Sequence, residues 1–330
     1  MVDNLARVLD DISEEKPEII VQEAPVKWCS VSLSDVVERG KRLEASVFDV
    51  EAKQAYQIIK NCIYPIQPLI TPDGFVKKAH YGGRLKRHYV SKHHKNSIGF
   101  IGSSEMLDIK PQPIKYMVND EKIDDLRVSQ NVILISRSGT IGNVSYINKT
   151  LSKLLISEHA MRLECNVFPG YVYSFLKTKI GKTLVCSNIY GAVIQQIEPE
   201  HLATVPIPNA PKEIKEKIHN LIVKSYELRD ESNEMIDEAT RLLIEELQLP
   251  PINEFDVELY KKDASVDTFS VKLSQMFGRA DASYHVPIVD AIVKHLEQHA
   301  AEVTTIADER ISSDVVLPGR FKRVYVEEGY

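Results

Sequence analysis

The chain has 330 residues and a formal net charge of −6, with 41 Lys and Arg against 47 Asp and Glu. This length suits two domains, and the acidic balance excludes a uniformly basic nucleic-acid-binding protein. The sequence has no apolar run of membrane-span length, its acidic start is unlike a signal peptide, and its four cysteines form no CxxC pair. We therefore expect a cytoplasmic protein that does not cross a membrane and has neither a disulfide framework nor a zinc site.

The first part of the chain is predicted to be a lead-in followed by a globular domain. Residues 1–26 are polar and acidic, and a short helix is expected within them at 5–12. From residue 27 the composition becomes globular, and the domain is expected to continue to residue 210. Short helical patterns occupy 33–37, which opens with a Ser or Asp cap, and 52–59.

A basic segment, residues 74–104, contains no Asp or Glu but seven Lys and Arg residues, with Tyr81 and Tyr89 interleaved. Such cations can neutralise phosphates and release counterions, so the segment predicts contact with duplex DNA. The alternative is a solvated loop whose cations balance acidic neighbours. Four histidines lie here without a nearby carboxylate or cysteine, so we expect no metal site. The predicted DNA contacts are Arg84, Lys86, Arg87 and Lys92, with Lys77 and Lys78 as phosphate anchors.

A hairpin is predicted next, from a strongly apolar strand at 132–136 and a second strand at 141–147. Its turn carries Arg137, Ser138 and Thr140, with Gly139 free to take positive φ. These three polar side chains could position DNA backbone or a base edge, and a purely structural turn is the alternative. The turn also matches a GxxG loop of the kind that clamps RNA, although two hairpin glycines are much commoner.

The remainder of the first domain is predicted from shorter signals. Glu158 and His159 follow a strand-like run, and we expect them to form a buried hydrogen-bonded pair. A helix is expected over 171–184. The proline-flanked run 205–208 predicts an edge strand that leads directly into a long helix.

The long helix is predicted over 211–249, between Pro211 and the Pro250-Pro251 pair. Its apolar positions recur at intervals of three and four residues and form a narrow stripe, which is typical of a coiled coil. At 1.5 Å per residue the helix is roughly 55 Å long, more than a small core needs. It is therefore expected to be a spacer or docking helix, with an ordinary amphipathic helix on its own domain as the alternative. The predicted interface residues are Leu221, Leu228, Met235 and Leu242.

Two motifs before the long helix recur after it at a similar separation of about forty residues. Residues 42–48 resemble 279–285, and residues 83–90 resemble 319–326. This repeat predicts a linker and an incomplete second recognition domain over 251–330. In that copy Arg320, Lys322 and Arg323 would repeat the first basic cluster. Alternatively, the shared motif belongs to the common fold, because bases that differ between two half-sites require residues that differ.

Motifs for catalysis are missing from the sequence. It has no GxSxG elbow, no P-loop, no Asp/Asn-Pro-Pro-Tyr/Phe motif for amino methylation and no glycine-rich loop after a first strand. We therefore expect no catalytic residues, no metal and no cofactor in this chain. Its composition and motifs favour a binding protein over an enzyme.

Several segments together resemble the target-recognition domains of type I restriction–modification specificity (S) subunits. These are residues 134–142, 156–159, 195–197 and 205–208, together with Leu228-Arg229-Asp230 in the long helix. The resemblance implies an α+β recognition domain of mixed strands and helices, a long coiled-coil-type spacer helix, and then the start of a second similar domain. It covers one full domain plus helix at about 27–250 and the opening of a second at 279–330.

The resemblance also implies partners. In this family each recognition domain reads one half of a split DNA target, and the helices set the gap and dock two methyltransferase (M) subunits. Those subunits carry S-adenosylmethionine and methylate adenine, and a motor-nuclease (R) subunit joins for cleavage. The second domain here is incomplete, so a homodimer through the long helix could restore two-fold geometry. The alternatives are the C-terminal specificity region of a fused restriction–methylation enzyme and an oligomerisation or scaffold protein with no DNA role.

Overall fold

The computed structural model describes residues 30–38, 41, 43, 45–84, 86–92, 94–113, 115–191, 195–250, 261–262, 267–276, 278–314 and 316. These residues fall into two compact units that divide between Asn233 and Glu234, within the long helix. The predicted helix at 5–12 and the second basic motif at 319–326 lie outside the described residues. The domain boundaries expected from the sequence therefore stay predictions.

Helices and strands alternate irregularly along the described chain. The α-helices are α1 (Leu33–Glu38), α2 (Val50–Lys60), α3 (Lys149–Ser152), α4 (Pro169–Lys177), α5 (Lys179–Cys186), α6 (Pro199–Ala203), α7 (Lys212–Glu246) and α8 (Pro287–His299). The strands are β1 (Ile66–Pro68), β2 (Val76–His80), β3 (Tyr89–Val90), β4 (Ser97–Ile101), β5 (Lys115–Val118), β6 (Ile133–Ser136), β7 (Val144–Tyr146), β8 (Leu155–Ile156), β9 (Ala160–Cys165), β10 (Pro206–Pro208), β11 (Lys261–Lys262) and β12 (Asp267–Thr268).

The central sheet of the first unit has the strand order β2-β9-β6-β7, and its pairs are antiparallel. Strand β6 is buried along its whole length. Ile133 and Ile135 belong to the main hydrophobic core, whereas Leu134 belongs to a second core on the other face of the strand. A strand covered on both faces needs a continuous apolar run, and residues 132–135 provide it. The predicted hairpin is confirmed.

A second sheet has the order β3-β5-β4-β8, with one parallel pair, β4 with β8. Proline-rich β10 pairs only with β1 among the described strands, as expected for an edge strand. The mixed strands and helices followed by a long helix confirm the α+β fold class.

The single helix predicted over 171–184 is wrong, because two helices, α4 and α5, occupy this stretch. Thr178 between them is extended, with φ −66° and ψ 156°, and its side chain caps α5 by accepting from Gly181 N–H at 3.0 Å. The two helices fold closely together at Gly181, where a Cβ would lie 2.2 Å from the Phe175 carbonyl oxygen. The break therefore depends on a tertiary contact.

The long helix α7 packs one face onto the first unit. Tyr226 is buried in the main core, with Ile218 and Ile222 partly buried beside it. One turn further on, Asp230 accepts four hydrogen bonds from the segment 148–150. The Asn233 amide then donates to the Ile109 carbonyl oxygen at 2.9 Å.

The second unit contains the end of α7, the β11–β12 ladder and α8. His295 of α8 lies 3.0 Å from the Gln248 carbonyl oxygen, just beyond the end of α7. Arg279 pairs with Asp281 at 2.8 Å and lies over the Tyr284 ring, so the first repeated motif is held by local contacts. Within the described residues, no helix combines the length and hydrophobicity that a bilayer span requires.

Candidate nucleic-acid interface

The basic segment forms β2, β3, β4 and the loops between them, and it presents most of its cations to solvent. Lys77 and Lys78 are exposed on β2, which pairs with β9 at the edge of the central sheet. Arg84 and Lys86 are exposed in the loop, and Lys92 is exposed just after β3. Five of the six predicted DNA-contacting cations in this segment are therefore accessible.

These five cations form no ion pair with any residue that the structure describes. The salt bridges of the surrounding surface involve Arg87, His80 and Arg127 instead. The alternative in which the basic segment balances acidic neighbours therefore holds for Arg87 but not for the exposed cations. Unpaired like charges in one segment repel each other, so an anionic ligand would gain from binding there.

One end of the loop is held by Tyr81 and Arg137. The guanidinium of Arg137 lies 4.0 Å from the centroid of the Tyr81 ring. Its side chain is 4% exposed and forms an ion pair with Glu198, whose carboxylate also accepts from the Tyr190 hydroxyl at 2.6 Å. Burial alone would raise the pKa of Glu198, but the hydrogen bond from Tyr190 and the charge of Arg137 lower it below its ordinary value.

The other end of the loop is held by Arg87, which forms an ion pair with Glu158. The carboxylate of Glu158 is 9% exposed, and the Arg87 guanidinium lies 4.8 Å from the centroid of the Phe100 ring. Burial opposes both shifts. A backbone hydrogen bond and the charge of Arg87 lower the pKa of Glu158, and the hydrogen bond with Tyr89 and the charge of Glu158 raise the pKa of Arg87. Arg87 was predicted to contact DNA, and the structure assigns its guanidinium to an internal anchor.

The hairpin turn separates the three side chains that the sequence grouped together. Arg137 is buried and donates to Gln196 Oε1 at 3.0 Å, and Ser138 is 8% exposed. Thr140 is exposed at the tip beside Gly139, which has φ +74°. The burial of Arg137 supports the structural-turn alternative for that residue, so among the three only Thr140 stays accessible.

The GxxG comparison is disfavoured by the hydrogen bonds within this turn. Gly142 N–H donates to the Ser136 carbonyl oxygen at 3.0 Å, and the Ser136 hydroxyl donates to the Thr140 carbonyl oxygen. A backbone clamp needs N–H groups that are free for a phosphate. The two glycines therefore serve the hairpin.

The turn at 157–160 departs from the sequence prediction. Glu158 is buried as expected, but His159 is exposed, and its Nε2 lies 3.9 Å from Glu158 Oε1, beyond hydrogen-bond distance. The imidazole instead contacts Ser138 Oγ through Nδ1 at 2.7 Å. The predicted buried pair is therefore wrong, because the Glu158 carboxylate pairs with Arg87.

Ser138, His159 and Glu158 are neighbours, but their geometry does not make a nucleophilic relay. Such a relay needs the carboxylate to hydrogen-bond the histidine that activates the hydroxyl. Here Glu158 is engaged by Arg87, and the Ser138 hydroxyl is almost fully buried. The arrangement instead holds an imidazole in place at the surface.

A buried cation, Arg162, supports this turn from below. Its guanidinium donates to the Ile156 carbonyl oxygen at 2.7 Å and to the Ala160 carbonyl oxygen at 2.9 Å. A Cβ at Gly82 would lie 3.3 Å from its Nη2, so the basic loop also passes close to it. Burial lowers the pKa of Arg162 to about 10, which leaves it charged at neutral pH. No local sequence pattern distinguished this arginine from a surface one.

The predicted interface residues of α7 are all accessible. Leu221, Leu228, Met235 and Leu242 are 51–63% exposed and recur every seven residues. They lie on a different face from Tyr226, Asp230 and Asn233, which attach the helix to the first unit. Ile218 belongs to the same apolar pattern of the sequence but packs against the core, so that pattern combines two faces of the helix.

Some predicted features cannot be placed. Arg320, Lys322 and Arg323 lie outside the described residues, so their role stays a prediction. Among the described residues, no group of three or more His, Cys, Asp or Glu side chains is arranged to hold a metal ion.

Comparison with solved structures finds similar chains, three of which are described below. The S subunit of a type I restriction-modification system from M. genitalium matches over 57% of this chain and 45% of its own, at 16% identity and a TM-score of 0.38. The HsdS subunit from Thermoanaerobacter tengcongensis matches over 64% and 60%, at 13% identity and a TM-score of 0.35. A structure describing assembly and conformational transition of the type I R-M system matches over 63% and 54%, at 15% identity and a TM-score of 0.31.

The matched region thus spans 45–60% of the length of those structures. No protein-family model matches the chain, and no curated protein matches it.

Proposed function

We propose that this chain is a non-catalytic, DNA-binding specificity subunit of a type I restriction–modification complex in the cytoplasm. The observation that carries the proposal is the set of exposed cations Lys77, Lys78, Arg84, Lys86 and Lys92, which no described carboxylate pairs. In a chain of net charge −6, this set of unpaired cations within one segment is suited to a polyanion. The first unit reads one half of a bipartite duplex target.

The two anchors of the basic loop support this function. Tyr81 under Arg137 and Arg87 on Glu158 fix the loop at both ends. A loop held in this way loses less conformational entropy when it binds, so more of the electrostatic gain becomes affinity. Arg84 and Lys86 between the anchors are the proposed phosphate contacts.

The exposed face of α7 is the proposed docking surface for methyltransferase subunits and for a second copy of this chain. Residues 212–229 carry five basic and three acidic side chains, whereas 230–246 carry one basic and seven acidic ones. Two antiparallel copies would place opposite charges side by side. S-adenosylmethionine and adenine methylation belong to the methyltransferase partner, and cleavage belongs to a motor-nuclease subunit.

The salt dependence of DNA binding tests the proposal. The full chain, alone and co-expressed with the proteins of its neighbouring reading frames, is titrated onto fluorescent duplexes between 50 and 200 mM salt. Reversal of Arg84 and Lys86 to Glu is expected to lower affinity at least tenfold and to reduce the salt slope by about 2, since each phosphate contact contributes roughly 0.9. The control reverses Lys60 and Lys177, two exposed lysines outside both the segment and α7, and changes the net charge equally.

Equal losses in both variants would show a non-specific charge effect. Absence of salt-dependent binding to any duplex, with or without the co-expressed proteins, would favour the scaffold alternative.

A further inference from the structure

His159 is an exposed side chain that is held unusually firmly. The backbone N–H of His159 donates to Ser157 Oγ at 3.1 Å, and its backbone carbonyl oxygen accepts from the backbone N–H of Arg137 at 2.9 Å. The imidazole Nδ1 lies 2.7 Å from Ser138 Oγ, yet the side chain is 47% exposed. Most exposed histidines sample several rotamers, whereas this one is fixed at both backbone and ring.

The turn that carries His159 is built at an energetic cost. Arg162 beneath it is 2% exposed, and within the described residues its Nε has no hydrogen-bond partner. Burial of a guanidinium is unfavourable unless its N–H groups are hydrogen-bonded, and here Nη1 and Nη2 donate to backbone carbonyls whereas Nε donates to none that the structure describes. Glu158, next to His159, is tied in turn to Arg87. An exposed turn with only a connecting role would not need this support.

The position of His159 relates it to the basic loop. Its hydrogen-bond partner Ser138 is adjacent to Arg137, which holds one end of the loop, and its neighbour Glu158 holds the other end. The imidazole therefore lies beside the two anchors between which Arg84 and Lys86 are displayed. With Nδ1 occupied by Ser138, Nε2 is the ring atom left for a ligand.

We propose that His159 reads a base edge of duplex DNA through Nε2, and that Ser138 is the residue that positions it. The inference rests on the proposed DNA-binding function and deepens it by naming a specificity-determining residue. A fixed hydrogen-bonding group discriminates between base edges, whereas mobile lysines contact phosphates of any sequence.

Two amide replacements separate base reading from a structural role. The Gln of His159→Gln places its amide near the Nε2 position, and the Asn of His159→Asn places its amide near Nδ1, where it can keep the bond to Ser138. Base reading predicts that Gln preserves part of the function and Asn does not. A purely structural role predicts the reverse.

The probe is a pool of 40-base-pair duplexes with 20 randomised central pairs, selected by the full chain alone and with its co-expressed neighbours. The wild type is expected to enrich a motif. His159→Asn should lose preference at one or two adjacent base pairs, by about tenfold, as for a typical mismatch. His159→Gln should lose less, and Ser138→Ala should weaken preference at the same pairs. His88→Ala, which removes an exposed histidine of the basic segment, should leave the motif unchanged.

The remaining outcomes overturn the inference. An unchanged motif in both amide variants shows that His159 does not read a base, and rescue by Asn alone shows a structural role. Uniform loss of affinity at an unchanged motif indicates a phosphate contact. Loss of the motif together with a lowered melting temperature indicates misfolding, and the loss then gives no support to base reading by His159. If the Arg84 and Lys86 reversal lowers the salt slope while His159 variants behave as wild type, the proposed function stands without this inference. If no duplex binds, both the proposed DNA-binding function and the role of His159 are refuted.

Discussion

The hydrogen bonds of Asp230 are predicted to stabilise the packing of the long helix on residues 148–150 of the first unit. Its Oδ1 accepts from Asn148 Nδ2 at 2.9 Å, from Thr150 N–H at 2.9 Å and from the Thr150 hydroxyl at 2.6 Å. Its Oδ2 accepts from Lys149 N–H at 3.0 Å. One carboxylate thus satisfies four donors that lie about 80 residues away in sequence.

The expected magnitude follows from how many of these bonds are shielded from water. Three are partly buried and one is exposed. At about 1 kcal/mol net for each shielded bond, Asp230→Ala should cost roughly 3 kcal/mol, less a few tenths for the better helix propensity of Ala. For a unit of this size that corresponds to a fall in Tm of roughly 6–12 °C. Asp230→Asn should cost only about 1 kcal/mol, because its amide oxygen can keep the three shielded Oδ1 contacts and only the exposed bond from Lys149 N–H is lost.

Differential scanning calorimetry of the full chain measures the effect as a shift of the transition of the first unit. Glu231→Ala is the matched control, because it removes the same charge from an exposed position of the same turn and should shift stability by less than about 0.5 kcal/mol. Equal shifts for the two variants would refute the argument and show that charge repulsion along α7, not the four hydrogen bonds, determines the stability.

Two further predictions concern the anchors and the hairpin. The pKa values of Glu158 and Glu198 lie below the ordinary 4.5 in the folded state, so their stabilisation is present above about pH 4.5 and is lost as the pH falls through the folded-state values. The double change to Gln should therefore flatten the loss of stability below pH 4.5 in urea titrations, and an unchanged acid limb would contradict the assignment of the anchors. Gly142→Ala should destabilise the fold by about 1 kcal/mol more than Gly139→Ala. Both glycines have positive φ, so an alanine at either position is strained by roughly 1–2 kcal/mol. Only at Gly142 would the added Cβ also meet a side-chain atom, Cys186 Sγ, at 3.0 Å. Thermal unfolding of the two variants compares them, and equal losses would show that the Sγ contact relaxes freely.

The parts of the fold that sequence could predict are those fixed by local pattern. Strand β6 is apolar at every position because both of its faces are covered, and the bounds of α7 follow from prolines and periodicity. The break at Thr178 was missed because nothing in a continuous helical pattern shows that Gly181 packs against the Phe175 carbonyl. Local signals specify elements, whereas the close packing of two consecutive helices decides where this stretch is interrupted.

The candidate site was only partly predictable for the same reason. Composition alone identified the basic segment, but it could not separate exposed cations from anchored ones. Arg87 pairs with Glu158 71 residues away, and Arg137 pairs with Glu198 61 residues away. Both arginines look like ligand contacts until their partners are known. The exposed position of His159 was not predicted, because the adjacent Glu158 suggested a buried hydrogen-bonded pair, whereas the actual partner of the imidazole is Ser138.

The attachment of α7 has a consequence for the proposed interface. Tyr226 and Leu228 are two residues apart, so their side chains point about 200° apart around the helix. Burial of Tyr226 and the bonds to Asp230 therefore turn Leu221 and Leu228 to a different face of the helix, where each is more than half exposed. A partner that packs on this face meets a helix whose rotation is already set by the first unit. The direction in which the basic segment faces is then fixed relative to that partner, which is the geometric requirement for reading two half-sites at one spacing.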